Sequence, residues 1–131
     1  MNGKPTAETH DALSLKGRTG LRRILDAGGY SLMGLQAAYR GEAAFRQLLL
    51  LNVVLLPLAC LVDVTRSERL LLMLVPLLSL IVELLNSAIE ATVDRISLSL
   101  HPLSKQAKDM GSAAQFIALL MIGLTWGMIL L

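Results

Sequence analysis

Apolar positions divide the chain into one polar stretch, one striped stretch and three nearly continuous hydrophobic runs. Residues 1–20, MNGKPTAETHDALSLKGRTG, mix charges with Gly, Pro, Thr and Ser and lack apolar periodicity, which predicts a mobile tail. From Leu21 the pattern changes: Leu21, Ile24, Leu25, Gly28, Leu32, Leu35 and Tyr39 recur at steps of three or four, with Arg22, Arg23 and Asp26 on other faces. This spacing predicts an amphipathic helix over 21–40, interrupted or bent near Gly28 and Gly29. Arg22 and Arg23 on its polar side suit anionic headgroups, so the helix is expected to lie in a membrane interface. The run LLLLNVVLLPLACLV, with its flanks, predicts a first span over 46–63 bent at Pro57. A polar link, Asp63 to Arg69, precedes a second span over 70–94, and a third takes 111–131 with Trp126 as an interfacial anchor.

Composition turns these runs into a membrane reading. The 131 residues set the scale of one domain, and 54% are hydrophobic, with a mean hydropathy of +0.62 and only 17% charged. A water-soluble chain carries roughly 25% charged residues, so this one lacks the polar cover of a soluble domain. Intrinsic disorder is excluded on the same ground. A net charge of +2 and 4% aromatic residues give neither a basic groove nor a base-stacking platform, so no nucleic-acid partner is expected. The lone Cys60, inside an apolar run, reads as a buried packing residue. No cleavable signal peptide is expected, because the first long apolar run starts far into the chain.

Lysines and arginines number seven up to and including Arg46 at the start of the first span, two in the first link, three in the second and none after the third. The bias of basic residues toward the cytoplasm therefore puts the N-terminus and the 95–108 link inside, and 63–69 and Leu131 outside. This makes the chain a multi-pass membrane protein.

The second span carries ELLNSAIEATVD, in which Glu83, Asn86, Glu90 and Asp94 are spaced by three, four and four residues and share one helical face. If that helix starts near Leu70, its rise puts Glu83 about 20 Å deep and Glu90 about 30 Å deep, near the cytoplasmic boundary. An intramembrane acid costs several kcal/mol and normally faces a bundle interior or a polar cavity, so Glu83 is a functional candidate; the plain alternative is a structural acid paired with an arginine such as Arg46. Three helices offer one subunit little interior for this ladder, and an oligomer with closed symmetry is expected to enclose it. A second cluster, AKDMGSAA, puts Lys108, Asp109, Gly111 and Ser112 at the expected start of the third span. Free N–H groups there would suit a phosphate with Lys108 as counter-charge, although an Asp or Ser in such a place is more often a cap. Glu42 lies four residues before Arg46, a spacing that an ordinary ion pair explains equally well. The chain has no GxxxxGK[ST] loop, no protein-kinase signature and no Cys/His metal set.

The segments GEAAFRQ, ELLNSAIEATVDR and AKDMGSAA, in this order across three short spans, resemble the bacterial integral-membrane diacylglycerol kinases, and the resemblance covers about residues 21–131. It implies an all-α membrane protein, a homotrimer of three-span subunits with an N-terminal interfacial helix. It also implies Mg²⁺-dependent use of ATP to phosphorylate diacylglycerol to phosphatidic acid. By the same resemblance Glu83 is the catalytic base, Glu42 and Glu90 bind the metal, and Arg23, Tyr30, Glu42, Glu90, Ser99, His101, Lys108 and Asp109 contact nucleotide. Arg23, Ser31, Ala44, Arg46, Gln47, Glu83, Ser112 and Trp126 are matched to the lipid substrate, with Asn86 and Asp94 in support. The link departs from the family pattern, since Ser99 and Leu100 stand where an acid and an aromatic often precede the histidine. Undecaprenol phosphorylation is the near alternative, and a small transporter subunit the alternative from another class, because intramembrane acids also mark ion pathways.

Overall fold

The computed structural model describes residues 20–131, so the tail expected over 1–20 lies, apart from Gly20, outside the described residues. Four helices follow in order: α1 (Leu21–Gly41), α2 (Ala43–Leu61), α3 (Arg66–Ile96) and α4 (Pro102–Leu130). No strand occurs among the described residues. The last three helices are each long and apolar enough to cross a membrane, which makes the chain an all-α membrane protein.

α1 runs unbroken through Gly28 and Gly29, which corrects the expected interruption. Each glycine costs about 1 kcal/mol against alanine in a helix but removes no backbone hydrogen bond, and a 21-residue run can carry two. Arg22 faces Asp26 one turn on at 3.9 Å, and the Ser31 hydroxyl donates to the Ala27 carbonyl of its own helix at 2.9 Å.

Within the unit formed by residues 38–131, α3 is the middle helix and packs α2 on one side and α4 on the other. The apolar core is small: Phe45, Leu48 and Ala59 from α2, Leu72 and Val75 from α3, and Ala118 and Ile122 from α4. Large side chains such as Leu50, Ile81 and Phe116 point outward instead, as a surface made for lipid or for other apolar helices requires. Cys60 is exposed, not buried, because the inward stripe of α2 passes through its neighbour Ala59. α2 continues past Pro57 to Leu61.

Polar side chains finish what the helix backbones leave open. Arg69 Nη1 donates to the carbonyl of Ala59 at 2.7 Å, at the end of α2 where carbonyls lack intrahelical donors and the dipole favours a cation. The link between α2 and α3 is only residues 62–65. Thr65 caps α3 by accepting from the Glu68 N–H at 3.2 Å while its hydroxyl donates to the Glu68 carboxylate at 2.8 Å, so residues 66–69, expected in the link, form the first helical turn. Inside α3, Pro76 has no N–H for the carbonyl of Leu72, and the indole of Trp126 on α4 donates to that carbonyl at 3.1 Å. Buried Asn52 on α2 donates to the carbonyls of Leu48 at 2.9 Å and Pro76 at 3.0 Å, tying α2 to α3.

Candidate active site

One face of α3 carries the acids from a buried level to an exposed one. Glu83 is only 4% exposed, Asn86 and Glu90 are half-buried and Asp94 is exposed. The chain's own α4 covers Glu83, the deepest acid of the ladder, while the single chain leaves Asn86 and Glu90 half-buried and Asp94 exposed. The graded exposure follows from the packing partner, whose polar residues give way to core positions along the helix.

What holds Glu83 is an amide rather than an arginine. Gln115 Nε2 on α4 donates to Glu83 Oε2 at 2.9 Å and to the carbonyl of Ser79, one turn earlier on α3, at 3.2 Å. The alternative of a Glu83–Arg46 pair is not found: Arg46 Nη1 donates to the carbonyls of Tyr39 at 2.7 Å and Arg40 at 3.4 Å, closing the end of α1. That geometry also leaves Glu42 without an ion pair to Arg46. On the same α3–α4 seam the Asn86 side chain lies over Gly111, where a Cβ would overlap Oδ1 and lie 3.1 Å from Cγ. Glycine here leaves room for that side chain and is not required by the backbone conformation.

An open cleft of about 360 Å³ lies along this seam, lined by Glu42, Ala44, Glu83, Asn86, Glu90, Ser112, Gln115, Phe116 and Leu119. Six residues expected in the site therefore meet here: Glu42, Ala44, Glu83, Asn86, Glu90 and Ser112. Among the described residues Glu42, Glu83 and Glu90 form no ion pair, and no three His, Cys, Asp or Glu side chains are arranged to cage a metal. Such an arrangement suits a cation carried in with phosphates, because Mg²⁺ takes one or two protein carboxylates and completes its shell with phosphate oxygens and water.

A second crevice of about 220 Å³ gathers Asp94, Ser99, His101, Lys105, Lys108 and Asp109 where α3 turns into α4. Lys108 Nζ contacts Asp94 at 2.7 Å and Lys105 Nζ contacts Asp109 at 2.6 Å. Ser97 and Ser99 share a hydroxyl hydrogen bond of 2.7 Å, which folds the turn. His101 caps α4, its Nδ1 accepting from the N–H of Leu103 at 3.1 Å ahead of Pro102. Because α4 begins at Pro102, Lys108, Asp109, Gly111 and Ser112 sit inside the helix. Their N–H groups are used by its ladder, which corrects the expectation of a helix-start phosphate site at AKDMGSAA.

The prokaryotic diacylglycerol kinase model matches residues 29–130. The chain is 72% identical over 116 residues to the diacylglycerol kinase of Pseudomonas aeruginosa, covering 88% of this chain and 94% of that one. It is 50% identical over 112 residues to the diacylglycerol kinase of Escherichia coli, covering 86% and 92%. Against that of Helicobacter pylori it is 45% identical over 112 residues, covering 86% and 88%. The chain belongs to the prokaryotic diacylglycerol kinase family.

Trp126 and Gln47, also singled out from the sequence of this family member, do not line the cleft. Trp126 is eleven positions beyond Gln115 on α4, roughly 16 Å along the helix, and is occupied with Leu72. Gln47 is exposed on α2 and does not line the cleft. Arg23, Tyr30 and Ser31 are exposed on α1. Gln115 joins the cleft and Lys105 the crevice without being marked by the helical spacing or the motifs. A glutamine inside AAQFIALLMIG, and a lysine four residues before Asp109, were the signals available.

Proposed function

We propose that this family member phosphorylates diacylglycerol with ATP, using Glu83 as general base and Glu42 and Glu90 as the acids that hold Mg²⁺ with the nucleotide phosphates. The observation that carries the reading is a nearly buried carboxylate with no cationic partner among the described residues, opening on a cleft shared with two further unpaired acids. Phosphoryl transfer asks mainly for charge neutralisation and positioning, and this cleft offers both without a Walker loop. Bound there, Mg²⁺ would supply charge neutralisation to the transferring phosphoryl group.

In this reading the lipid hydroxyl enters beside Glu83, gives its proton to the carboxylate and bonds through its oxygen to the terminal phosphorus, while ADP leaves. Lys108 and Asp109, with Ser99 and His101, contact the nucleotide from the crevice at the α3–α4 turn. Arg23 and Tyr30 on α1 join the nucleotide contacts, and Ser31, Ala44, Arg46, Gln47, Ser112 and Trp126 serve the lipid. Asn86 and Asp94 support the acids. The helix 21–40 lies in the interface, and spans over 46–63, 70–94 and 111–131 set the N-terminus in the cytoplasm and the C-terminus outward, in the inner membrane. Ten of the twelve basic residues fall on the cytoplasmic side of that arrangement, which supports it.

The working unit is a homotrimer. Support comes from the many large apolar side chains that one chain leaves outward, and mixing Glu83→Gln with Lys108→Ala tests for shared sites: regained activity requires sites assembled from different chains. The activity itself is tested by ATP-dependent phosphorylation in mixed micelles, comparing diacylglycerol with undecaprenol. Phosphatidic acid formation at a rate well above undecaprenyl phosphate formation is expected. The reverse preference would assign the chain to the sister reaction.

A further inference from the structure

The amide of Gln115 has two hydrogens, and both are spent on α3: one on Glu83 Oε2 at 2.9 Å and the other on the carbonyl of Ser79 at 3.2 Å. The Ser79 carbonyl is part of the helix backbone and cannot move with the Glu83 side chain. An amide held to that fixed point therefore holds the carboxylate as well, where a lone contact to Glu83 would let the two side chains drift together. The amide has only one workable orientation, because turning it over would set Oε1 against two acceptors. In the orientation found, Oε1 is buried and has no hydrogen-bond partner. Asn52, which joins α2 and α3, also donates twice and leaves its oxygen without a partner, but both of its acceptors are backbone carbonyls; Gln115 differs in giving one of its two hydrogens to a carboxylate. Gly111, one turn before Gln115, leaves room on the same seam for the Asn86 side chain.

We propose that Gln115 is a positioning residue that fixes Glu83 Oε2 and so leaves Glu83 Oε1 as the oxygen that meets the lipid hydroxyl. Oε1 makes no hydrogen bond among the described residues, and both side chains line the cleft. The inference rests on the reading of Glu83 as the base. With one oxygen held, the carboxylate presents the other in a single direction, and misplacing a reacting group by about 1 Å is enough to cost up to about a hundredfold in rate.

The test uses the full-length enzyme in mixed micelles, as wild type, Gln115→Met, Glu83→Gln and the double variant. Methionine keeps the length of the side chain and removes both donors. Gln115→Met is expected to lower kcat about tenfold while KM for ATP and for diacylglycerol stays within about twofold. In the Glu83→Gln background the same change is expected to alter the residual rate by less than about twofold, since no base remains to be positioned. A merely structural tie would lower the rate by the same factor in both backgrounds, and that result, or a folded Gln115→Met with wild-type kcat, overturns the proposal. Should Gln115→Met fail to fold, Gln115→Leu is judged by the same criteria. Full turnover by Glu83→Gln would remove the base assignment itself, whereas an inactive Glu83→Gln beside a fully active Gln115→Met would remove only the positioning role.

Discussion

The indole N–H of Trp126 donates to the carbonyl of Leu72 at 3.1 Å, the carbonyl that Pro76 deprives of its helical donor. A proline and a tryptophan fifty positions apart on different helices thus form one stabilising unit. Trp126→Phe keeps the apolar bulk and strands the carbonyl, which should lower stability by about 1–3 kcal/mol. Pro76→Ala supplies an N–H to Leu72, so Trp126→Phe should be markedly milder in that background. Unfolding of the four variants in detergent gives the coupling, and strictly additive losses would show that the indole and the proline act independently.

Gly111 makes a separate prediction about the seam. Gly111→Ala sets a methyl group on Asn86 Oδ1, so the Asn86 side chain must turn out of its place in the cleft, which should cost about 1 kcal/mol of stability and lower the activity severalfold. Gly123→Ala, whose Cβ would meet nothing within 4 Å in the chain, is the control and should keep both. Equal behaviour of the two variants would mean that the seam is looser than the Asn86 contact indicates.

The spans and the acid ladder were legible because hydropathy and a helical repeat are local properties, and the step from Glu83 to Glu90 needs nothing but one helix to define a face. The partners across the seam were not. Gln115, Asn52 and Arg69 each answer to a backbone carbonyl or carboxylate on another helix, at a place set by packing and by where a proline or a helix end leaves an acceptor free. The start of α4 was misplaced for a related reason: hydrophobicity marks where a helix enters an apolar medium, while His101 and Pro102 mark where the helix begins, three turns earlier than the apolar run. Gly28 and Gly29 do not interrupt α1, since their small intrinsic penalty is spread over its 21 residues.

Glu42, the extended residue just before α2, and Glu90 on α3 line one cleft and have no ion pairs among the described residues. Replacing either by Gln removes one negative charge from the face offered to a Mg²⁺–nucleotide complex, so each variant should need more Mg²⁺ and bind ATP less tightly. Mg²⁺ titrations of activity at fixed ATP check this. Curves that coincide with wild type in both variants would make the two acids structural.

The central claim is that Glu83 takes the proton of the lipid hydroxyl, and the most direct measurement is kcat of Glu83→Gln with diacylglycerol and saturating Mg-ATP. Glutamine keeps the shape and can still hydrogen-bond to Gln115 through its own amide oxygen, so folding is expected to survive and thermal unfolding in detergent should confirm it. Loss of the base should lower kcat by about two orders of magnitude or more. A folded Glu83→Gln that turns over within about tenfold of wild type would contradict the account.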